Sequence, residues 1–280
     1  MSLKEHDKIS MTKRNKILGA LYGFAIGDAM GATTEFMTKE QIKEKYGVVN
    51  DLIGGGWLSL KPGKVTDDTQ MMLCVADALM RSPDDLQLFK KNCMKNFLGW
   101  YETEPVDIGH RCMKSIEYYI HNYDYTPFDA SALGNGSLMR ALPCALAGKA
   151  NYNVEQGVLT HNNKECSDMI REYTRLIQHI INDRDYDFGV NYVFEPTGYI
   201  LNTFNNAIYW CTHSDNFEDA VVNAVNDGGD SDTIAALVGS ISGTMYGYGC
   251  IPQHWVDKLD SCVVYYLEKF KKFLFGYLQI

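Results

Sequence analysis

Residues 19–36 read GALYGFAIGDAMGATTEF, and within them glycine recurs at Gly19, Gly23, Gly27 and Gly31. A spacing of four puts these residues on one face of an α-helix. The apolar residues between them keep the helical period, so the segment predicts a helix over 17–33. Glycine costs a helix about 1 kcal/mol relative to alanine. Four in register therefore argue for a packing purpose, a face bare enough for another backbone to lie against it. A second ladder, Gly239, Gly243 and Gly247, has the same spacing in a later apolar stretch. Glu35 lies just past the end of the first ladder, and Asp230 and Asp232 just before the second. Antiparallel packing of the two would bring these three carboxylates together.

Outward from the ladders, helical periodicity covers 67–80, 86–101, 109–121, 166–181, 197–211, 217–226, 231–245 and, as one final helix, 255–277. The glycine runs Gly54-Gly55-Gly56 and Gly134-Asn135-Gly136 predict loops. Strand patterns are not prominent, and 191–194 is at best a short one. No tandem repeat or low-complexity linker divides the chain. The expected fold is all-α, a single domain over 1–280, with 1–15 as a flexible N-terminal segment. That segment is polar and mixed in charge, which excludes a signal peptide.

Composition narrows the function classes. The chain of 280 residues is 46% hydrophobic and 22% charged, enough to bury a sizeable core. Its net charge of −9 argues against nucleic acid as a general partner. The eight cysteines form no CxxC pair, so no zinc ribbon is written here. Scattered thiols fit a reducing compartment, and the expected location is cytoplasmic. Residues 233–255 lack Asp, Glu, Lys and Arg. Two serines, four glycines and Pro252 in that stretch favour a buried helix and turn over a membrane span.

Three acidic clusters stand out: Gly27-Asp28-Ala29 leading to Glu35, and two that open predicted helices, Thr66-Asp67-Asp68-Thr69 and Gly228-Gly229-Asp230-Ser231-Asp232-Thr233. Helix capping explains one such residue, not three in a row. If both clusters converge with Glu35, five carboxylates share one site. Each pair of unit charges 4 Å apart repels by about 4 kcal/mol at an effective dielectric of 20, so the cluster needs cations. Carboxylate and hydroxyl ligands with no nearby His or Cys suit Mg²⁺ or Mn²⁺. Two divalent ions leave a net charge of about −1 on five carboxylates and can activate a water.

At this point the sequence resembles a known family. The blocks 19–36, VTDDTQM (65–71), Asp107-Ile108-Gly109, GNGSLMRALP (134–143) and AVNDGGDSDTIAALVGSISGTMYGYGCIP (224–252) look like the ADP-ribosylglycohydrolases, in family order. The resemblance implies an orthogonal bundle of about a dozen helices around a central two-metal cleft. It implies metal ligation by Thr66, Asp67, Asp68, Asp230, Asp232 and Thr233. It sets Glu35 near the metals and the substrate ribose, and Asp107 and Gly109 beside the substrate. It also implies that the loop of Gly134, Asn135, Gly136 and Ser137 embraces ADP-ribose, with His161 close to the ligand. Asp227, where the family has an apolar or small residue, and the segment 163–206 depart from the pattern. Arg140 reads as a structural ion-pair partner ahead of a phosphate clamp. Trp100 and Phe128 could stack on adenine, although such aromatics are more often core.

The activity so implied is metal-dependent hydrolysis at C1″ of an ADP-ribosylated protein or a small ADP-ribosyl compound. Glu35, Asp67, Asp68 and Asp232 are the expected catalytic set. A two-metal nucleotide phosphohydrolase and a non-catalytic ADP-ribose binder are the alternatives. Occupation of all six ligand positions argues against the second.

Overall fold

The computed structural model describes residues 3–184, 186 and 189–280, with side chains from residue 13 onward. Among these, thirteen α-helices follow in chain order: α1 (Leu3–Gly31), α2 (Lys39–Tyr46), α3 (Asp67–Arg81), α4 (Leu86–Tyr101), α5 (His110–Asn122), α6 (Leu142–Leu146), α7 (Ala150–Val158), α8 (Lys164–Ile181), α9 (Ile200–Thr212), α10 (Phe217–Asp227), α11 (Ser231–Tyr246), α12 (Gln253–Lys258) and α13 (Ser261–Tyr277). The described residues contain no strand, only isolated bridges between Gly55 and Leu60 and between Gly134 and Tyr199. The all-α expectation stands.

Several boundaries differ from the sequence reading. The backbone of 3–15, expected to be a flexible segment, forms the first turns of α1; Met1 and Ser2 lie outside the described residues. The short strand at 191–194 is absent. There the Asn206 side chain accepts from the Phe194 N–H and donates to the Phe194 carbonyl, at 2.7 and 3.2 Å, in place of a neighbouring strand. The single final helix is two. Asp260 breaks it, its carboxylate capping the N–H groups of Cys262 and Val263 while its own N–H reaches Gly63 O. Helix α2 was missed, although Thr38 and Gln41 write a complete capping box at its start.

The two glycine ladders pack antiparallel, as their spacing predicts. A Cβ added at Gly19 would sit 2.0 Å from Gly243 O, one at Gly23 2.1 Å from Gly239 O, and one at Gly27 1.9 Å from Ala235 O. The reciprocal positions Gly239 and Gly243 are as crowded, against Gly23 O and Gly19 O. No side chain fits in this seam, so backbone lies on backbone through the centre of the molecule. Helix α11 is buried along nearly its whole length. No helix among the described residues is long and apolar enough to cross a membrane.

A second device fixes α3. Asp28, fully buried on α1, accepts the N–H groups of Thr66 at 3.0 Å and Thr69 at 3.0 Å. A carboxylate from one helix thus caps another, satisfying N–H groups that a helix start leaves without partners. Helix α3 is thereby tied to the seam.

Candidate active site

The ends of α1, α3 and α11 meet at a cleft of about 430 Å³. Its floor is acidic: Glu35, Asp67, Asp68, Asp107, Asp230 and Asp232 all line it. The local chain explains the convergence. At the end of α1 the Ser231 hydroxyl donates to Gly31 O, and the Thr34 hydroxyl reaches Val225 O. Gly228 and Gly229 both have positive φ, 76° and 65°. Side chains there would collide with Met37 O and Pro196 O. The double glycine therefore lets the turn before α11 press against 36–37, where Phe36 N–H donates to Gly229 O and Gly229 N–H to Met37 O. Glu35 and the Asp230–Asp232 pair face each other as a result.

These acids are crowded and dry. Burial pushes Asp67, Asp68 and Asp232 well above the usual carboxylate range, with neighbouring carboxylates adding to it. Burial also raises Asp230 and Asp107. Glu35 is lifted to about 8, mostly by burial, against the opposing pull of the Trp57 N–H. Asp28, behind the floor, is raised to about 6, again by burial. Oxygens of Glu35, Asp107 and Asp232 lie within 4.8 Å of one another. Asp68 Oδ1 and Asp107 Oδ2 are buried with no hydrogen-bond donor. Buried carboxylate oxygens gathered around a common point, without donors, fit hard divalent cations.

Most residues singled out from sequence line this cleft: Gly109, Gly134, Asn135, Gly136, His161 and Thr233 join the six acids. Thr233 Oγ lies 3.4 Å from both Asp68 and Asp230, bridging the two acidic clusters. Thr66 and Ser137 are set deeper. Thr66 caps α3 through the Asp68 N–H, and Ser137 is fully buried beneath the loop, near Gly157. Asn135 Nδ2 donates to Asp230 at 2.5 Å and to Thr203 at 3.0 Å, holding the acid in place. The glycine at 136 has a packing reason, because an added Cβ would meet His161 Cε1 at 2.8 Å and Cys112 Sγ at 3.0 Å.

Arg140 has no ion-pair partner among the described residues. It is fully buried and bonds neutral groups: Nε to Gln156 Oε1 at 2.7 Å, Nη2 to Gln156 O and Thr160 Oγ. Its guanidinium also lies 4.5 Å from the centre of the Phe97 ring. Thr160 passes the polarity on. A guanidinium only donates, so the Thr160 hydroxyl accepts from Arg140 at 2.7 Å and turns its proton to His161 Nδ1 at 2.8 Å. That arrangement leaves the imidazole proton on Nε2, the nitrogen next to Gly134 and Gly136. Burial first, then Arg140 and Arg111, lowers His161 to about 3, so the ring is a neutral donor at physiological pH. Asp227 does not line the cleft and pairs with Lys39 of α2.

Sequence reasoning missed three contributors. Asp28 was visible in the first ladder but had no role, since its partners lie about 40 residues on. Trp57, directly after the triple glycine, donates its Nε1–H to Glu35 Oε2 at 2.6 Å. Phe36 stands beside it, ring centres 5.6 Å apart. Of the aromatics noted, Trp100 bonds Gln70 in a separate cavity, and Phe128 is exposed in a groove that shares Arg111 with the cleft.

Comparison with known proteins agrees with this geometry. The sequence model described as ADP-ribosylglycohydrolase matches residues 10–278. The ADP-ribosyl-[dinitrogen reductase] glycohydrolase of Rhodospirillum rubrum is 34% identical, over 89% of this chain and 92% of that protein. The ADP-ribosylarginine hydrolase Tri1 of Serratia proteamaculans (strain 568) is 29% identical, over 88% of this chain and 75% of its own. A solved structure titled ADP-ribosylglycohydrolase-related protein complex superposes with a TM-score of 0.80 at 26% identity, covering 96% of this chain and 99% of that one.

Proposed function

The chain belongs to the ADP-ribosylglycohydrolase family and is a hydrolase that removes ADP-ribose from modified substrates; we propose that it cleaves the bond between C1″ of ADP-ribose and an arginine side chain of a modified protein. The observation that carries this reading is the cluster of six carboxylates lining one cleft, four buried and two half-buried, in which Asp68 Oδ1 and Asp107 Oδ2 lack donors. Asp67, Asp68, Asp230 and Asp232, with Thr66 and Thr233, would hold two divalent cations, Mg²⁺ or Mn²⁺. When bound, the cations would hold the hydroxyls of the distal ribose and supply Lewis acidity.

The chain's own groups account for the remaining steps. Positive charge that develops at C1″ as the bond to the guanidine nitrogen breaks faces a wall of carboxylates. Glu35, at the edge of the floor and oriented by the Trp57 N–H, is suited to take a proton from the water that attacks C1″. Most acids here would serve as ligands, which sets this site apart from a two-carboxylate glycosidase. The His161 Nε2–H and the bare backbone of Gly134 and Gly136 would meet oxygens of the diphosphate or ribose. The likeness to proteins named ADP-ribosylarginine hydrolase supports the linkage. Eight free thiols are consistent with a reducing cytoplasm.

The test is incubation of the pure protein, with each metal, with peptides ADP-ribosylated on arginine or serine and with O-acetyl-ADP-ribose. Intact ADP-ribose released from the arginine peptide is the expected product. Release of AMP would refute the reading in favour of a phosphohydrolase.

A further inference from the structure

One wall of the cleft has a second side. Glu35, Phe36 and Trp57 line the acidic cleft and also an adjoining open groove of about 650 Å³, completed by Gln41, Glu44 and Lys45. The wall carries two unusual features. Phe36 has φ 63°, left-handed backbone that a bulky side chain rarely takes. Its ring is 67% exposed, and Trp57 beside it is 48% exposed. Strained backbone and two exposed aromatic rings, at the junction of a reactive cleft with a groove, point to a ligand surface.

The position of the wall limits which part of a substrate it can meet. Trp57 is hydrogen-bonded to Glu35, so the wall stands at the end where the scissile carbon lies. Adenine is separated from that carbon by two riboses and a diphosphate, and it cannot reach a ring bonded to Glu35 while the distal ribose occupies the acids. What leaves C1″ on that side is the aglycone. The charge of the groove narrows its chemistry. Its acids are Glu35 and Glu44, and its one lining cation, Lys45, lies over the Tyr46 ring at 4.9 Å.

We propose that this groove is the aglycone subsite, and that Phe36, Trp57 and Glu44 select a guanidinium-bearing side chain, the arginine of the modified protein. The inference rests on the arginine-linked reading of the cleft and adds the residues that make the choice. A planar delocalised cation stacks on aromatic faces, best on Trp, and pairs with carboxylates. A short neutral linkage such as serine would leave the peptide backbone against the rings, with neither charge nor plane to match.

The experiment compares two readings of each variant: KM for an ADP-ribosyl-arginine peptide, and Kd for free ADP-ribose, which has no aglycone. Phe36→Ala removes one ring. Glu44→Lys reverses an exposed charge on α2 without touching the core. Trp57→Phe keeps a ring but loses the donor to Glu35, separating stacking from effects on the acid. For Phe36→Ala and Glu44→Lys, KM should rise roughly threefold to fivefold, the size of an exposed cation–π or ion-pair contact. ADP-ribose Kd should not move. Unchanged KM in both variants would overturn the subsite and leave the activity standing. A weaker ADP-ribose Kd in Phe36→Ala would overturn it by assigning the wall to the nucleotide. Wild-type protein that binds ADP-ribose yet cleaves only serine-linked peptide would remove both the subsite and the arginine reading.

Discussion

Replacing Gly27 by alanine adds one methyl group to the seam between α1 and α11. Its carbon would lie 1.9 Å from Ala235 O and 2.4 Å from the carbonyl carbon. An ordinary carbon–oxygen contact needs about 3.3 Å or more, so the helices must part by roughly 1.4 Å at this level. The obstacle is backbone, which cannot rotate away. Overpacking of this kind costs about 1–3 kcal/mol, occasionally more, and the upper end applies because the helices touch along several turns. Alanine recovers about 1 kcal/mol of helix propensity. The net loss is about 2 kcal/mol, or a fall in Tm of about 3–4 °C for a chain of this size. Gly99→Ala is the control, because no atom lies within 4 Å of that added carbon; its Tm should hold or rise. Differential scanning calorimetry reads both. The same variant should bind Mn²⁺ more weakly by titration calorimetry, because Asp28 adjoins Gly27 and Asp232 lies across the seam. A Gly27→Ala protein as stable as the wild type would refute the steric argument. Lost stability with intact Mn²⁺ affinity would show that the seam supports the fold alone.

Asp67→Ala or Asp232→Ala should abolish turnover and reduce divalent binding at least tenfold, measured by calorimetry; near-wild-type activity at saturating metal would sink the two-cation reading. Metal-free protein should lose stability as pH rises from 6.5 to 8.5. Glu35, raised to about 8 from its ordinary 4.5, is protonated below this range and must ionise within it, so its contribution is lost on the way up. His161 contributes nothing to that slope, since above its ordinary 6.5 it is neutral both folded and unfolded. A flat Tm profile over the window would contradict the assignment, and adding Mg²⁺ or Mn²⁺ should flatten it. Thr160→Val should release the His161 tautomer while leaving the core filled, with mixed Nδ1–H and Nε2–H populations by ¹⁵N NMR and ADP-ribose affinity reduced about fivefold, within the range for one hydrogen bond to a charged group. A single Nε2–H form in that variant would show that Thr160 does not set the proton.

The seam and the acidic floor were legible because each rests on a short-range rule with one physical meaning. Glycine at every fourth position of a helix leaves few uses besides backbone contact, and carboxylates in a row exceed what capping needs. The resemblance then placed Asp107, Gly109, His161 and the 134–137 loop, of which only Ser137 falls below the cleft wall. What escaped depends on long-range partners. Nothing local marks Asp28 as the cap of a helix that starts at Asp67, or Trp57 as the donor to Glu35. Arg140 reads as a charge in search of an acid. Its answer is a set of amide, hydroxyl and aromatic contacts drawn from 97, 156 and 160. The final helix was misjudged at Asp260, where the apolar period runs on through a capping residue.

The bond from Ser231 to Gly31 spans 200 residues of chain. During synthesis α1 emerges well before α11, with an apolar surface and a bare glycine face that α11 covers in the fold. At about 5–20 residues per second, α1 waits roughly 10–40 s for α11 to leave the ribosome. A nascent chain of this protein should therefore carry a chaperone for most of its translation. An arrest or truncation before residue 230 should leave no partly active fragment, because two of the six acids of the floor and the far side of the seam arrive together at the start of the same late helix.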